Sequence, residues 1–271
     1  GGSSMGYKLA GSEVLAMVEF DPVACRTYEA NHPDTHIFNA DIRHLTAADI
    51  MAKTGLAVGE LDLLGGSPPC QGFSTAGARK FDDDRNTLFS DQLRLIRDLQ
   101  PKTIIIENVA GMVRGKMKTY ARSVISELRS MDYQVICGVV PATAFGVPQL
   151  RPRTFYIGSR LFCPVFPKPT CQRAVTAHQA LKGIGPEKPE YPKSPMMGHF
   201  ARKARPGEKG SGFLARQKKV GHPLWRDKKD GSWFTKQKMD PNKPSPTITK
   251  TKDDLIHWTG RYLSIKEAAV L

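Results

Sequence analysis

Three short runs in this 271-residue chain hold side chains able to do chemistry. The first is Gly66-Ser67-Pro68-Pro69-Cys70-Gln71, where two consecutive prolines fix the backbone ahead of a thiol and hold it in one orientation. A thiolate is a strong nucleophile, and basic groups beside such a loop favour it over the thiol. The second run, Glu107-Asn108-Val109, closes the apolar stretch Thr103–Ile106, so that Glu107 stands where a buried strand ends. A carboxyl so placed is suited to hold and deliver a proton. The third is Gln149-Leu150-Arg151-Pro152-Arg153. Two arginines two residues apart in extended chain face the same side and could grip one anionic or carbonyl-bearing ligand. Taken singly, a loop cysteine is more often an inert small hydrophobe, a strand-end glutamate is usually solvated, and an arginine pair is commonly a surface salt-bridge segment. Their order along one chain points to nucleophilic, acid-assisted chemistry.

The elements that must position these residues read as α/β. Candidate strands fall at Val14–Glu19, Leu61–Gly65, Thr103–Glu107, Tyr133–Val140 and Thr154–Gly158. Between them, Leu88, Leu95 and Leu99 lie on one helical face, and Tyr120, Val124, Leu128 and Met131 do the same on the next helix. Such alternation predicts a doubly wound sheet, in which ligands bind beyond the carboxyl ends of the strands, where Cys70 and Glu107 fall. After about residue 160 the rhythm fails. Prolines from Pro164 to Pro223 interrupt any long periodic segment, and 168–250 reads as loop-rich with short strands at most. Near the end, Ser264 and Glu267 form a capping-box pattern that starts a helix.

Charge divides the chain in the same place. Residues 1–150 hold 15 Lys/Arg against 17 Asp/Glu, whereas residues 151–271 hold 25 against 9, so the whole excess of +14 lies in the second part. An imbalance this one-sided, interleaved with Trp225, Trp233 and Phe234, points to a module facing a polyanion. Five cysteines without a CxxC pair indicate neither a disulfide framework nor a zinc site, and fit a reducing, cytoplasmic setting. No apolar stretch approaches the roughly 20 residues of a membrane span.

The ordered runs Gly66-Ser-Pro-Pro-Cys-Gln-Gly-Phe-Ser74, Glu107-Asn-Val109 and Gln149-Leu-Arg-Pro-Arg153 resemble the catalytic motifs of the DNA cytosine C5-methyltransferases of bacterial restriction-modification systems. Gly1-Gly2-Ser-Ser-Met-Gly resembles the tail of that family's cofactor glycine motif. Val18-Glu19-Phe20-Asp21, Asp41-Ile42 and Arg85-Asn-Thr-Leu88-Phe89 resemble its other cofactor segments, and Arg261-Tyr-Leu-Ser-Ile-Lys-Glu-Ala268 the segment supporting its recognition domain. The resemblance implies a Rossmann-like methyltransferase fold using S-adenosyl-L-methionine, with Gly2, Glu19, Phe20, Asp41, Ile42, Pro68 and Leu88 around the cofactor. It implies Cys70 as nucleophile on a flipped cytosine, Glu107 as the acid at ring nitrogen 3 and Arg153 on the base carbonyl. Arg151 and Gln149 would order that side of the pocket, and Pro69, Gln71, Ser74, Asn108, Val109 and Thr247 would complete the substrate side. Asn108 is expected to hold the Cys70 loop in place. Double-stranded DNA is the implied partner, with a restriction endonuclease as a functional counterpart that forms no stable complex.

On this reading, residues 1–165 are the cofactor-binding catalytic domain, 166–250 the target recognition domain, and 251–271 a return to the catalytic domain. Against the family pattern an opening strand and a final motif are expected beyond the two ends, as in a fragment or one part of a split enzyme with a complementing subunit. The cofactor is therefore expected to bind the isolated chain weakly. Two alternatives stand beside this one. A tRNA cytosine methyltransferase of the same family would carry a Cys-Phe-Thr signature, which is not found, and a non-catalytic DNA-binding derivative would not need Cys70, Glu107 and Arg153.

Overall fold

A helix opening on Gly1 as N-cap, α1 (Gly2–Leu9), precedes a short strand, β1 (Ala16–Val18). The chain then turns at Asp21, whose carboxylate accepts from the Val23 N–H and caps α2 (Pro22–Asn31), with proline in the first turn where its missing N–H costs nothing. β2 (His36–Phe38) returns parallel to β1, and α3 (Ala47–Thr54) starts on a Thr46/Asp49 capping box. The structure, a computed structural model, describes residues 1–69, 87–115, 117–186, 188–229, 233, 235–249 and 254–271.

β3 (Leu63–Gly66), α4 (Thr87–Leu99), β4 (Thr103–Val109), α5 (Met117–Ser130) and β5 (Gln134–Pro141) continue the alternation. After the two-residue β6 (Gln149–Leu150) comes β7 (Pro152–Ser159), which completes a four-stranded sheet in the order β3-β4-β7-β5. β3 runs parallel to β4, and β7 runs antiparallel on the other edge of β4. Burial along β4 alternates strictly, with Ile104, Ile106 and Asn108 turned inward. Phe89, Leu93 and Ile96 of α4 and Val124 and Leu128 of α5 pack into one core with these isoleucines and Tyr156 of β7. Each of the five sequence-predicted strands has its counterpart, and the predicted helices over Leu88–Leu99 and Tyr120–Met131 form, the second ending at Ser130, one residue short of Met131. β2 escaped the sequence reading because three residues are too few to show alternation.

Among the described residues, β1 pairs only with β2, and β3 only with β4. The helix α1 touches α2 and β3: Tyr28 of α2 donates to Ser4 Oγ at 2.8 Å, and Tyr7 lies against Gly65 of β3. A Cβ on Gly65 would collide with the Tyr7 phenol, and one on Gly66 with the carboxamide of Gln92. The two glycines are therefore set by packing within β3 and not by a turn.

The chain divides into two compact units, residues 1–139 with 153–166, and residues 140–152 with 167–271. The change of unit at 166/167 matches the change of rhythm in the sequence. Residues 254–271, part of the stretch assigned above to the catalytic domain, group with the second unit, tied there by β-pairing and by a shared apolar cluster of Leu181, Met239, Leu255 and Leu271. The second unit is less irregular than its prolines imply. Besides the short α6 (Ala177–Ala180) it contains α7 (Pro195–Lys203) and α8 (Gly210–Lys219), missed because Pro195 was read as a breaker when it occupies the first helical turn. Two strand pairs complete it: β6 with β9 (Ser245–Pro246), and β8 (Gln237–Lys238) with β10 (Leu255–Ile256). Trp225 is fully buried and Trp233 nearly so, their rings 4.6 Å apart and edge-on within a cluster that includes Phe200 and Phe213. These tryptophans are the core of the second unit, which corrects their reading as part of a polyanion-facing surface. Phe234 lies outside the described residues. No helix among the described residues is long and apolar enough to cross a membrane.

The last helix, α9 (Ile265–Val270), has the predicted capping box. Its Glu267 is fully buried and receives both arms of the Arg261 guanidinium, at 2.6 and 2.7 Å, and the Ser264 N–H at 2.9 Å. Burial alone would raise this carboxyl, but the bonds from Arg261 and Ser264 outweigh it and hold it down at about 2. Burial, then the same guanidinium, lowers His257 to about 4. Unfolded, these groups titrate near 4.5 and 6.5, so the unfolded chain binds more protons throughout the interval below 6.5. Stability is therefore expected to be full above about pH 6.5 and to fall as pH drops toward 2, as read by urea midpoints. Arg261→Met, which strands a buried carboxylate, should cost about 3–5 kcal/mol at neutral pH.

Candidate active site

Gly66, the last residue of β3, is in register with Ile106 of β4, so that Ser67–Pro69 leaves the sheet beside Glu107–Val109, which stay paired with β7. Asn108 is almost fully buried, and its carboxamide serves both segments. Nδ2 donates to the Pro68 carbonyl at 3.1 Å, while Oδ1 accepts the Val109 N–H at 2.8 Å. Asn108 therefore anchors the Pro68-Pro69 segment to β4. Cys70, Gln71 and Ser74 lie outside the described residues.

Glu107 meets Arg153 across the β4–β7 ladder, where Arg153 faces Val109 in register. Arg153 Nε lies 2.8 Å from Glu107 Oε1, in a pair about a quarter exposed on either side. Arginine presents further N–H groups in a planar fork, so the pair aligns a carboxylate and a guanidinium at one strand end. Thr154, fully buried, donates its hydroxyl to the Val109 carbonyl at 3.1 Å and locks β7 to this end of β4. Arg151 falls in the second unit. Its N–H donates to the Gln149 carbonyl at 2.8 Å and its own carbonyl accepts from Ala142 N at 3.1 Å. The side chains of Gln149 and Thr247 are already engaged within that unit. Gln149 Nε2 donates to the Leu271 carbonyl at 3.1 Å, and Thr247 Oγ1 to the Leu150 carbonyl at 2.6 Å. The geometry gives both residues a holding role.

At the carboxyl end of β1, Phe20 is 73% exposed, which excludes the ordinary core role. Its turn is fixed from behind, because Asn39 Nδ2 donates to both the Glu19 and Phe20 carbonyls and Cys25 Sγ to the Glu19 carbonyl. Beyond β2, Asp41 is gripped by Arg43 through three contacts of 2.6–3.1 Å, which holds its carboxyl down at about 2. The next residues are held by α4, where Arg94 donates to the Ile42 carbonyl at 2.8 Å and the Leu45 carbonyl at 3.0 Å. Leu88 sits in the first turn of α4, and Gly2 opens α1. Asn39 and Arg94 were missed from sequence, since single polar residues between elements carry no spacing signal. Of the other cysteines, Cys25 and Cys137 have thiols pushed up by burial, which keeps them protonated and poor nucleophiles.

The chain belongs to the C-5 cytosine-specific DNA methylase family, whose profile matches residues 1–267. Over 179 residues it is 34% identical to the Type II methyltransferase M.XorII of Xanthomonas oryzae pv. oryzae, an alignment that takes in 65% of this chain and 42% of that protein. It is 37% identical over 180 residues to the Type II methyltransferase M.AquIA of Picosynechococcus sp., covering 63% of this chain and 73% of the relative. The chain thus spans well under two thirds of M.XorII. A solved E. coli structure, described as a DNA modification methyltransferase encoded within a prophage, superposes over 100% of this chain and 85% of its own, with TM-score 0.71 and 24% identity. The shared fold is that of a Rossmann-like methyltransferase.

Asn108→Ala leaves the Pro68 carbonyl and the Val109 N–H without their partner. Urea denaturation should show a loss of about 1–3 kcal/mol, and unchanged stability would remove the anchor from Asn108.

Proposed function

We propose that this chain carries the catalytic machinery of a DNA cytosine C5-methyltransferase acting on duplex DNA, with Cys70 as nucleophile. The observation that supports it most is the Glu107–Arg153 pair at the end of β4, one residue from the asparagine that anchors the run leading into Cys70. A cytosine ring edge is shielded within the stack, so the base must be flipped out to meet these groups. Cys70 Sγ then adds to ring carbon 6, while Glu107 holds a proton at ring nitrogen 3 and so neutralises the charge the addition develops. Arg153 donates to the base carbonyl, with Val109, Pro69, Gln71 and Ser74 on the substrate side. After carbon 5 gains its methyl group and loses its proton to a base, the carbon–sulfur bond breaks and Cys70 is released as thiolate.

The residues at the ends of β1 and β2 fit a nucleoside. An exposed ring on a braced turn suits Phe20 to stack on adenine, Glu19 can accept ribose hydroxyls, and Asp41 with Ile42 faces the same end of the sheet. Gly2, Pro68 and Leu88 complete the group that would hold S-adenosyl-L-methionine, which supplies an electrophilic methyl group. The basic second unit would lie on phosphates, with a few side chains reading base edges. The same reading includes a bacterial cytoplasmic setting and a restriction endonuclease as functional counterpart. Among the described residues β1 and β3 each pair on one edge only, which supports a further element of it. A strand from a complementing segment or subunit would pair there and complete the cofactor wall.

Duplex DNA carrying a mechanism-based cytosine analogue should form a covalent adduct that survives denaturation and disappears in Cys70→Ala, whose DNA binding is retained. Adduct with tRNA in place of DNA would indicate an RNA methyltransferase, and binding without adduct a DNA-binding module. Calorimetric titration of the isolated chain with S-adenosylmethionine should show weak uptake. Micromolar affinity would remove the need for a complementing strand.

A further inference from the structure

The second unit places one carboxylate where three segments meet. β8 and β10 pair in parallel with Gln237 opposite Leu255, so the residues that precede them, Lys236 and Asp254, stand at the same end of the pair. Lys236 Nζ lies 3.0 Å from Asp254 Oδ1, and Thr235 Oγ1 donates to the same oxygen at 2.9 Å. On the other side Thr249 Oγ1 donates to Asp254 Oδ2 at 2.7 Å. Asp254 is 9% exposed, whereas Thr235 and Thr249 are exposed. The carboxylate therefore sits beneath the surface and holds two surface segments from below.

Each of those segments leads to something the proposed reaction needs. Upstream of Thr235 is the exposed basic stretch Arg226–Lys229, with the buried Trp233 between. Upstream of Thr249 is Thr247, bonded to the Leu150 carbonyl, and the β6–β9 pair that fixes Gln149 and Leu150. Asp254 thus ties the segment that follows the basic stretch to the segment that holds Leu150 of the arginine motif. An acid in this position also works against phosphate binding. The 151–271 region has 25 cations and 9 acids, and every anion in it subtracts from the attraction for a polyanion. Order and affinity pull in opposite directions at this residue, so its effect on each can be read separately.

We infer that Asp254 is a positioning residue for base readout, fixing the 235–236 and 247–249 segments to one another so that sequence discrimination, and not overall DNA affinity, depends on it. The inference rests on the DNA-methyltransferase reading above. Phosphate contacts made by mobile cations survive a loosened scaffold, whereas hydrogen bonds to base edges need side chains held in place.

The test uses the full chain, a pool of random-sequence duplexes selected by binding and sequenced, and a fixed arbitrary duplex titrated at several salt concentrations. The unsubstituted chain should enrich one motif. Asp254→Ala should bind the arbitrary duplex at least as tightly, with an undiminished salt dependence, while its motif enrichment falls by about 10-fold or more, as when one base contact is lost. Asp254→Asn, which keeps an acceptor for a threonine, should lie between the two. Thr249→Val removes one surface bond and no charge, and should lower enrichment in the same direction by less. Wild-type enrichment in Asp254→Ala overturns the inference. If that variant fails to fold, wild-type enrichment in a folded Thr249→Val overturns it instead. A chain that enriches no motif even without substitution sinks the DNA reading itself, and the inference falls with it.

Discussion

The site depends on the pleat of β4. The strand is hydrogen-bonded on both edges, to β3 and to β7, and its alternation sends Ile104, Ile106 and Asn108 into the core. Glu107 and Val109 are thereby turned the other way. A slip of one residue would put Glu107 in the core and Asn108 on the surface, exchanging every role at the strand end. The isoleucines forbid that slip, because burying a carboxylate in place of a large aliphatic side chain is prohibitive without a partner. The register that packs the core is therefore the same register that aims Glu107 at Arg153 and Asn108 at Pro68.

A second pattern runs through both units: the segments of interest are held by side chains that grip backbone carbonyls. Asn39 holds Glu19 and Phe20, Arg94 holds Ile42 and Leu45, Asn108 holds Pro68, and Thr247 holds Leu150. Loops carry carbonyls that no ladder satisfies, and a donor arriving from a neighbouring element both satisfies them and fixes the loop's place. This leaves the outward groups of the loop, such as the Phe20 ring, free of structural duty. Arg261 and Glu267 perform the same service for the last helix with a fully ionic pair. That pair is more exacting, since neither partner tolerates loss of the other in a buried setting.

The tryptophans illustrate how composition misleads when geometry is absent. Trp225 and Trp233 fall within the most basic part of the chain, and proximity in sequence invited a shared role in contacting a polyanion. Instead they pack against Phe200 and Phe213 to build the interior of a unit with few long elements. A domain poor in long elements has few places to bury apolar surface, and large aromatic rings supply it most efficiently. The cations around them are left on the surface by the same partition. Pro195 misled in a similar way, since its effect depends on whether it meets the first turn of a helix or a later one.

Sequence by itself determined the α/β class, five of the strands, the faces of α4 and α5, and the residues with reactive potential. Each of these is encoded locally, in a period of two or 3.6 residues, a cap, or an ordered motif. The holding role of Asn108 came only through the family resemblance of the run Glu107-Asn108-Val109, and no local period encodes its bond to Pro68. Only the tertiary structure decided that Arg153 pairs with Glu107, that Arg94 and Asn39 brace the loops after β2 and β1, and that Asp254 joins segments at 235–236 and 249. It also decided that residues 254–271 group with the second unit, and that Gln149 and Thr247 spend their side chains on backbone carbonyls. These facts join residues up to 122 positions apart, as in the bond from Gln149 to Leu271. No periodicity carries such a pairing, because it is fixed by which surfaces pack and not by what stands next in the chain.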